Sequence, residues 1–102
     1  MEKLVLKKPI KIDGKEVTEL PYDFENMTAR DKINAGKNMM ADGVPMSTAE
    51  ELDSNLHIYL FAAAVHKADD KIDVSDVLRI SAKDSQRAGD KARDFFYLGS
   101  EE

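Results

Sequence analysis

Cysteine is absent from the 102 residues, which removes disulfides, thiolate nucleophiles and thiolate metal sites together and fits a reducing cytoplasm. Long apolar runs are absent too: nothing approaches the run of about 18 residues that a membrane-spanning helix needs. The N-terminus, MEKLVLKK, holds only Leu4-Val5-Leu6 between charges, too short for the apolar stretch of a secretory signal. Glycine is scarce, and Asp13-Gly14 and Asp42-Gly43 are turn pairs without further glycines to cradle a phosphate. No Ser or Thr stands in a nucleophile-elbow or P-loop setting. His57 and His66 are nine apart on one expected helix, roughly 180° from each other, so they share neither a metal nor a catalytic site. Charge of one sign is lacking as well: the formal net charge is -5, with 34% charged residues spread over both signs, which leaves no nucleic-acid footprint and no disordered acidic tail. These absences predict a soluble, intracellular, cytoplasmic protein that is not an enzyme, holds no cofactor or metal, and binds neither nucleic acid nor membrane.

What is present is one continuous apolar element, positions 52–65, around which a single domain spanning 1–102 is organised. With successive side chains about 100° apart, Ala49, Leu52, Leu56, Tyr59, Leu60 and Ala63 fall on one broad face, the stripe of a helix lying on a core. Ile58, Phe61 and Val65 form a second stripe pointing away from the first. Either other helices of the domain cover that stripe, or it is a contact surface for a partner.

The strongest local signal lies earlier. Asp13-Gly14 supplies the positive φ angles of a type I′ turn, so 1–25 reads as a β-hairpin with a docking segment. Taking that pair as the loop sets Ile12 opposite Lys15, Lys11 opposite Glu16 and Ile10 opposite Val17. Leu4, Leu6, Ile10 and Ile12 share one face and Lys3, Lys7 and Lys11 the other; Pro9, with no N–H to donate, predicts an edge or a bulge. The lysine row reads as a solvated face that discourages edge-to-edge pairing.

Residues 26–102 read as helical. Thr28 with Asp31 resembles a capping box opening a helix from Ala29 to about Met40, with Ile33, Met40, Ala29 and Gly36 on its apolar side. Ser47 with Glu50 is a further capping box, expected to open the central helix. Met27, Met39, Met40 and Met46 cluster around the loop between these helices, as gap-filling or as an adaptable surface. Asp69, Asp70, Asp73 and Asp76 lack the ligand spacing of an EF-hand; caps and a solvated turn account for them. A short helix is expected from Val74 to about Ile80 with Val74, Val77 and Leu78 inward. Ser81 with Asp84 caps a last helix carrying Ser85, Ala88, Ala92, Phe95 and Phe96 on one side, before Leu98 and Gly99 stop it. The segment Phe95-Phe96-Tyr97-Leu98 is apolar on more than one side, a second candidate contact surface. The fold class expected is α+β, an N-terminal β-hairpin followed by a small bundle of three to four helices.

The order of these features resembles the short tail assembly chaperones of tailed bacteriophages. The residues that carry the resemblance are Leu4-Val5-Leu6-Lys7-Lys8-Pro9-Ile10, then Asp13-Gly14-Lys15-Glu16-Val17-Thr18-Glu19-Leu20, a helical half, Ser81-Ala82-Lys83-Asp84, and the terminus Phe95-Phe96-Tyr97-Leu98. The resemblance spans nearly the whole chain through structural motifs alone. It implies a protein in the host cytoplasm that binds the long, largely helical tape measure protein, prevents its aggregation during tail assembly, and leaves before the tail is complete. Ile58, Phe61, Val65, Phe95, Phe96 and Leu98 are then the expected apolar anchors for helical client segments, with avidity supplied by many copies along one client or by self-oligomers. The alternatives are a small structural tail or connector subunit kept in the particle, and a cytoplasmic adaptor unrelated to phage.

Overall fold

Asp13 and Gly14 both adopt left-handed backbone angles, φ 53° and 79°, as a type I′ turn requires. In a computed structural model, which describes residues 2–98, this turn joins β1 (Glu2–Ile12) and β2 (Lys15–Tyr22) into a two-stranded antiparallel sheet. The register near the turn is the expected one, Ile12 with Lys15, Lys11 with Glu16 and Ile10 with Val17. Beyond Ile10 the pairing breaks and resumes at Val5 with Glu19, so residues 6–9 of β1 stand against Thr18 alone. Pro9 lies in this wide bulge, as its missing N–H predicts. Leu4, Leu6, Ile10, Leu20 and Tyr22 are buried on the inner face, and Lys3, Lys7 and Lys11 are exposed on the other.

Among the described residues the hairpin is followed by four helices, an α+β arrangement. The first, α1 (Ala29–Ala41), opens on the expected capping box: Thr28 Oγ1 accepts from Asp31 N at 3.2 Å and Asp31 Oδ2 from Thr28 N at 2.8 Å. Its buried side is Ala35, Gly36 and Met39. The expectation that Ile33 and Met40 face inward is therefore corrected, since both are exposed. α2 (Ser54–Ala68) is the central helix, but its cap differs from expectation. Glu50–Leu52 forms a separate 3₁₀ turn, Leu52 is exposed, and the buried Asp53 caps the helix, accepting from Asn55 N at 3.1 Å and Leu56 N at 3.2 Å. Ser47 donates its own N–H to Asp53 at 2.9 Å, tying the preceding loop to the cap. α3 (Val74–Val77) is one turn, shorter than expected, with Val77 buried and Val74 and Leu78 half-buried. α4 (Ala82–Arg93) is capped by Ser81 as expected, at 3.1 Å from Asp84 N. It buries Asp84, Ala88 and Ala92 and passes into a π-helical turn, Asp94–Leu98. Gly99, expected to stop this helix, lies outside the described residues.

The core forms where α2 meets the other elements, β2 on one side and α1 and α4 on others. Phe61 and Val65 are both 0% exposed. Phe61 packs against the rings of Tyr22 and Phe24 at centroid distances of 5.2 and 6.3 Å, and Asp23 N donates to Ala64 O at 3.0 Å, fixing the end of the hairpin on α2. A buried polar contact ties α4 to the bulge. The Asp84 carboxylate, 0% exposed, accepts from Lys7 N at 3.0 and 3.1 Å and from Lys8 N at 3.1 Å. Arg87 joins it at 2.8 Å and also donates to Val5 O. The N–H groups that the bulge takes out of the ladder thus find an ionised acceptor, which is what a buried main-chain donor requires.

Candidate protein-contact surface

Of the six residues expected as partner anchors, two belong to the core. Phe61 and Val65 are enclosed by the hairpin and the neighbouring helices, so the second stripe of α2 is covered by its own domain, and neither side chain is available as an anchor in the folded chain. Ile58 is half-buried in a shallow cleft between α2 and α4 that His57, Ser85 and Gly89 also line. The other three lie on the π-helical turn. Phe96 is half-buried, edge-on to Phe24 at 5.6 Å and 82°. Phe95 stacks on Phe24 at 5.2 Å and 19° while remaining 40% exposed, and Leu98 is 48% exposed. The structure thus brings Phe95 and Phe96 together over Phe24, leaves Phe95 and Leu98 presented to solvent, and encloses Phe61 and Val65 in the core.

Tyr97 fixes this turn. Its hydroxyl donates to Glu50 Oε1 at 3.0 Å and its ring lies against His57 at 5.5 Å. Burial, then the Glu50 carboxylate, push the Tyr97 hydroxyl above the usual tyrosine range. Lys32 donates to the same Glu50 oxygen at 3.1 Å, and this bond, reinforced by that of Tyr97, holds Glu50 below the usual carboxylate range. His57 Nε2 lies 2.9 Å from Glu50 O. Polar groups therefore grip one side of the turn while its apolar side is displayed. Beside Phe95 runs a cleft of about 230 Å³ floored by Tyr22, Phe24 and Phe95 and rimmed by Glu2, Asp23 and Glu25. Burial, then Glu2, push the Tyr22 hydroxyl up to about 12. The Asn26 amide bonds Asp23 at 2.7 Å and keeps that carboxylate below its usual range. An aromatic floor with a carboxylate rim suits apolar side chains that carry a positive charge at their tip.

A second apolar surface lies on α1, where the sequence places Ile33 inward and offers Met40 and Met46 as gap-filling or as an adaptable surface. Ile33 and Met40 are 50% and 58% exposed, beside Met46 on the following loop. Their helical spacing is that of a core stripe, and the basic residues flanking it, Arg30 and Lys37, are the signal that could have separated it from the core.

Among the described residues no group of three or more His, Asp and Glu side chains could hold a metal ion, and no helix is long and apolar enough to cross a membrane. His57 and His66 bond separate main-chain carbonyls, of Glu50 and Ile72, both at 2.9 Å. What this arrangement can do chemically is bind through apolar contact with a charged margin. Comparison of the chain with protein-family models, with curated proteins and with solved structures gave no match.

Proposed function

We propose that the chain is a tail assembly chaperone of a tailed bacteriophage, acting without catalysis in the host cytoplasm to cover apolar helical segments of the tape measure protein until the tail is built. The observation that carries the reading is the gripped terminal turn. Tyr97 is held by Glu50 while Phe95 and Leu98 stand exposed, in the same terminal motif on which the resemblance rests. Apolar anchors on a pre-ordered turn bind with less loss of side-chain freedom than anchors on a loose tail. The carboxylate rim beside Phe95 favours amphipathic client segments that carry Lys or Arg next to their apolar stripe. Two anchors give modest affinity per copy, and several copies along one long client supply avidity.

The test is co-expression with the candidate tape measure protein of the same genome, followed by size exclusion with light scattering on the soluble fraction. A soluble complex with several copies of this chain per client supports the reading, and the Phe95→Ser/Leu98→Ser variant then returns the client to the insoluble fraction. A client that stays insoluble beside the unaltered chain overturns it.

A further inference from the structure

The exposed face of α1 carries Ile33 and Met40, 50% and 58% exposed. They stand at i and i+7, a strip about 10 Å long on a rise of 1.5 Å per residue, with Gly36 between them at i+3, buried at the edge of the inner side. Across from it, Met46 and Leu56 complete a groove of about 250 Å³, with Lys32 and Lys37 at its rim. Gly36 makes the notch at its centre. A Cβ there would lie 2.7 Å from Met46 Cε, so the glycine is covered only by the flexible end of a methionine, a side chain suited to re-packing around a partner.

Charge decides what fits this groove. On α1 the strip is flanked by Arg30 and Lys37 on one side, and on the other by Lys32, whose charge is spent on Glu50 at 3.1 Å. The helix's one acidic residue, Asp31, is turned to α2, where it pairs with Lys67 at 3.0 Å. Glu50, the carboxylate at the groove, is occupied by Lys32 and Tyr97. A basic-flanked apolar strip thus stands on a chain of net charge -5. A second copy docking through the same face would oppose Arg30 and Lys37 to themselves, so self-association is disfavoured. A straight strip with helical spacing and a small residue at its middle is matched by another helix laid along it.

We propose that the α1 groove is a second docking site, which takes an amphipathic helix of another protein carrying Asp or Glu beside its apolar stripe. It goes beyond the terminal turn, whose carboxylate margin selects the opposite charge, and gives the chain two faces able to hold two different segments at once.

The experiment titrates the full chain with two synthetic helices of the same leucine stripe, one flanked by Glu and the other by Lys, with binding followed by calorimetry and by amide NMR shifts. The Glu-flanked helix is expected to bind with shifts centred on Ile33, Lys37 and Met40. Ile33→Ser/Met40→Ser is expected to weaken it at least about tenfold, the loss of roughly one apolar anchor. Lys37→Glu, which alters charge at an exposed position, weakens it as well, whereas Phe95→Ser/Leu98→Ser leaves it unchanged. Equal binding of the two helices, no binding of either, an Ile33→Ser/Met40→Ser variant as good as the parent, or self-association of the parent through this face each overturns the proposal.

Discussion

Asp84 on α4 accepts the main-chain N–H of Lys7, 77 residues earlier, at 3.0 Å from one carboxylate oxygen and 3.1 Å from the other. Lys8 N and Arg87 complete its shell. An amide at this position would turn two N–H donors toward a site already crowded with donors. Asp84→Asn is expected to cost about 3–5 kcal/mol, the range for breaking a buried charged contact, in urea unfolding at neutral pH. A loss below about 1 kcal/mol would show that water serves the bulge as well as the carboxylate does.

The same residue sets an acid limit on the fold. Burial pushes the Asp84 carboxyl up, but the N–H of Lys7, the Arg87 guanidinium, the N–H of Lys8 and Ser81 together outweigh it, so the group stays well below its ordinary 3.8. A carboxyl depressed in the folded state contributes stability that is fully present above its unfolded pKa and is lost as pH falls through the folded one. The urea midpoint of the parent chain should therefore drop as pH is lowered below about 4. Because Asn does not titrate, the gap between parent and Asp84→Asn should narrow over that same interval. A constant gap would assign the acid transition to other carboxylates.

Phe61 distinguishes core from surface on α2. With its ring enclosed between Tyr22 and Phe24, Phe61→Ala is expected to cost about 3–5 kcal/mol, read by urea unfolding, and Phe61→Asp to unfold the chain outright. A folded Phe61→Asp protein by circular dichroism would contradict this burial.

How much of this was legible in the chain depends on how local the cause is. The hairpin register follows from two adjacent residues, Asp13 and Gly14, whose left-handed angles leave one pairing. The caps at Thr28 and Ser81 are equally local. The cap of α2 was misplaced because Ser47 and Glu50 have the right spacing, and only the packed structure shows Asp53 buried and accepting two helix N–H groups and one from the loop. On α1 Gly36 faces inward as its spacing predicts, but with Ala35 and Met39 beside it, whereas the large Ile33 and Met40 that a reading by side-chain size turns inward are exposed. Asp84 was readable as part of a cap. Its role at the bulge joins residues 77 apart, which no spacing rule reaches. The exposure of Phe95 and Leu98 agrees with an apolar run that has more than one side, whereas the burial of Phe61 and Val65 follows only from what covers α2.

The hydroxyl of Tyr97 separates the mounting of the terminal turn from the surface it displays. Tyr97→Phe keeps the ring against His57 and removes the 3.0 Å bond to Glu50. Because Glu50 is partly exposed, the expected cost in urea unfolding is about 1 kcal/mol. The turn should exchange its amide protons faster while Phe95 and Leu98 remain in place chemically. Unchanged exchange at residues 95–98 would mean that the aromatic stack on Phe24 holds the turn alone.

Gly36 offers the reverse test, a substitution that should improve the fold. Its backbone is helical and needs no glycine, and alanine is favoured there by roughly 1 kcal/mol in helix propensity. Opposing this, the new Cβ meets Met46 Cε at 2.7 Å, the far end of a flexible and partly exposed side chain that can swing aside. Gly36→Ala is therefore expected to be neutral to stabilising in the parent, and to gain the full amount, about 1 kcal/mol, in a Met46→Ala background where the obstruction is gone. Urea unfolding of the four chains measures both steps and their coupling. A loss of stability in both backgrounds would place the obstruction in the packing of α1 on α2, and the glycine would then be required by the core and not by the groove.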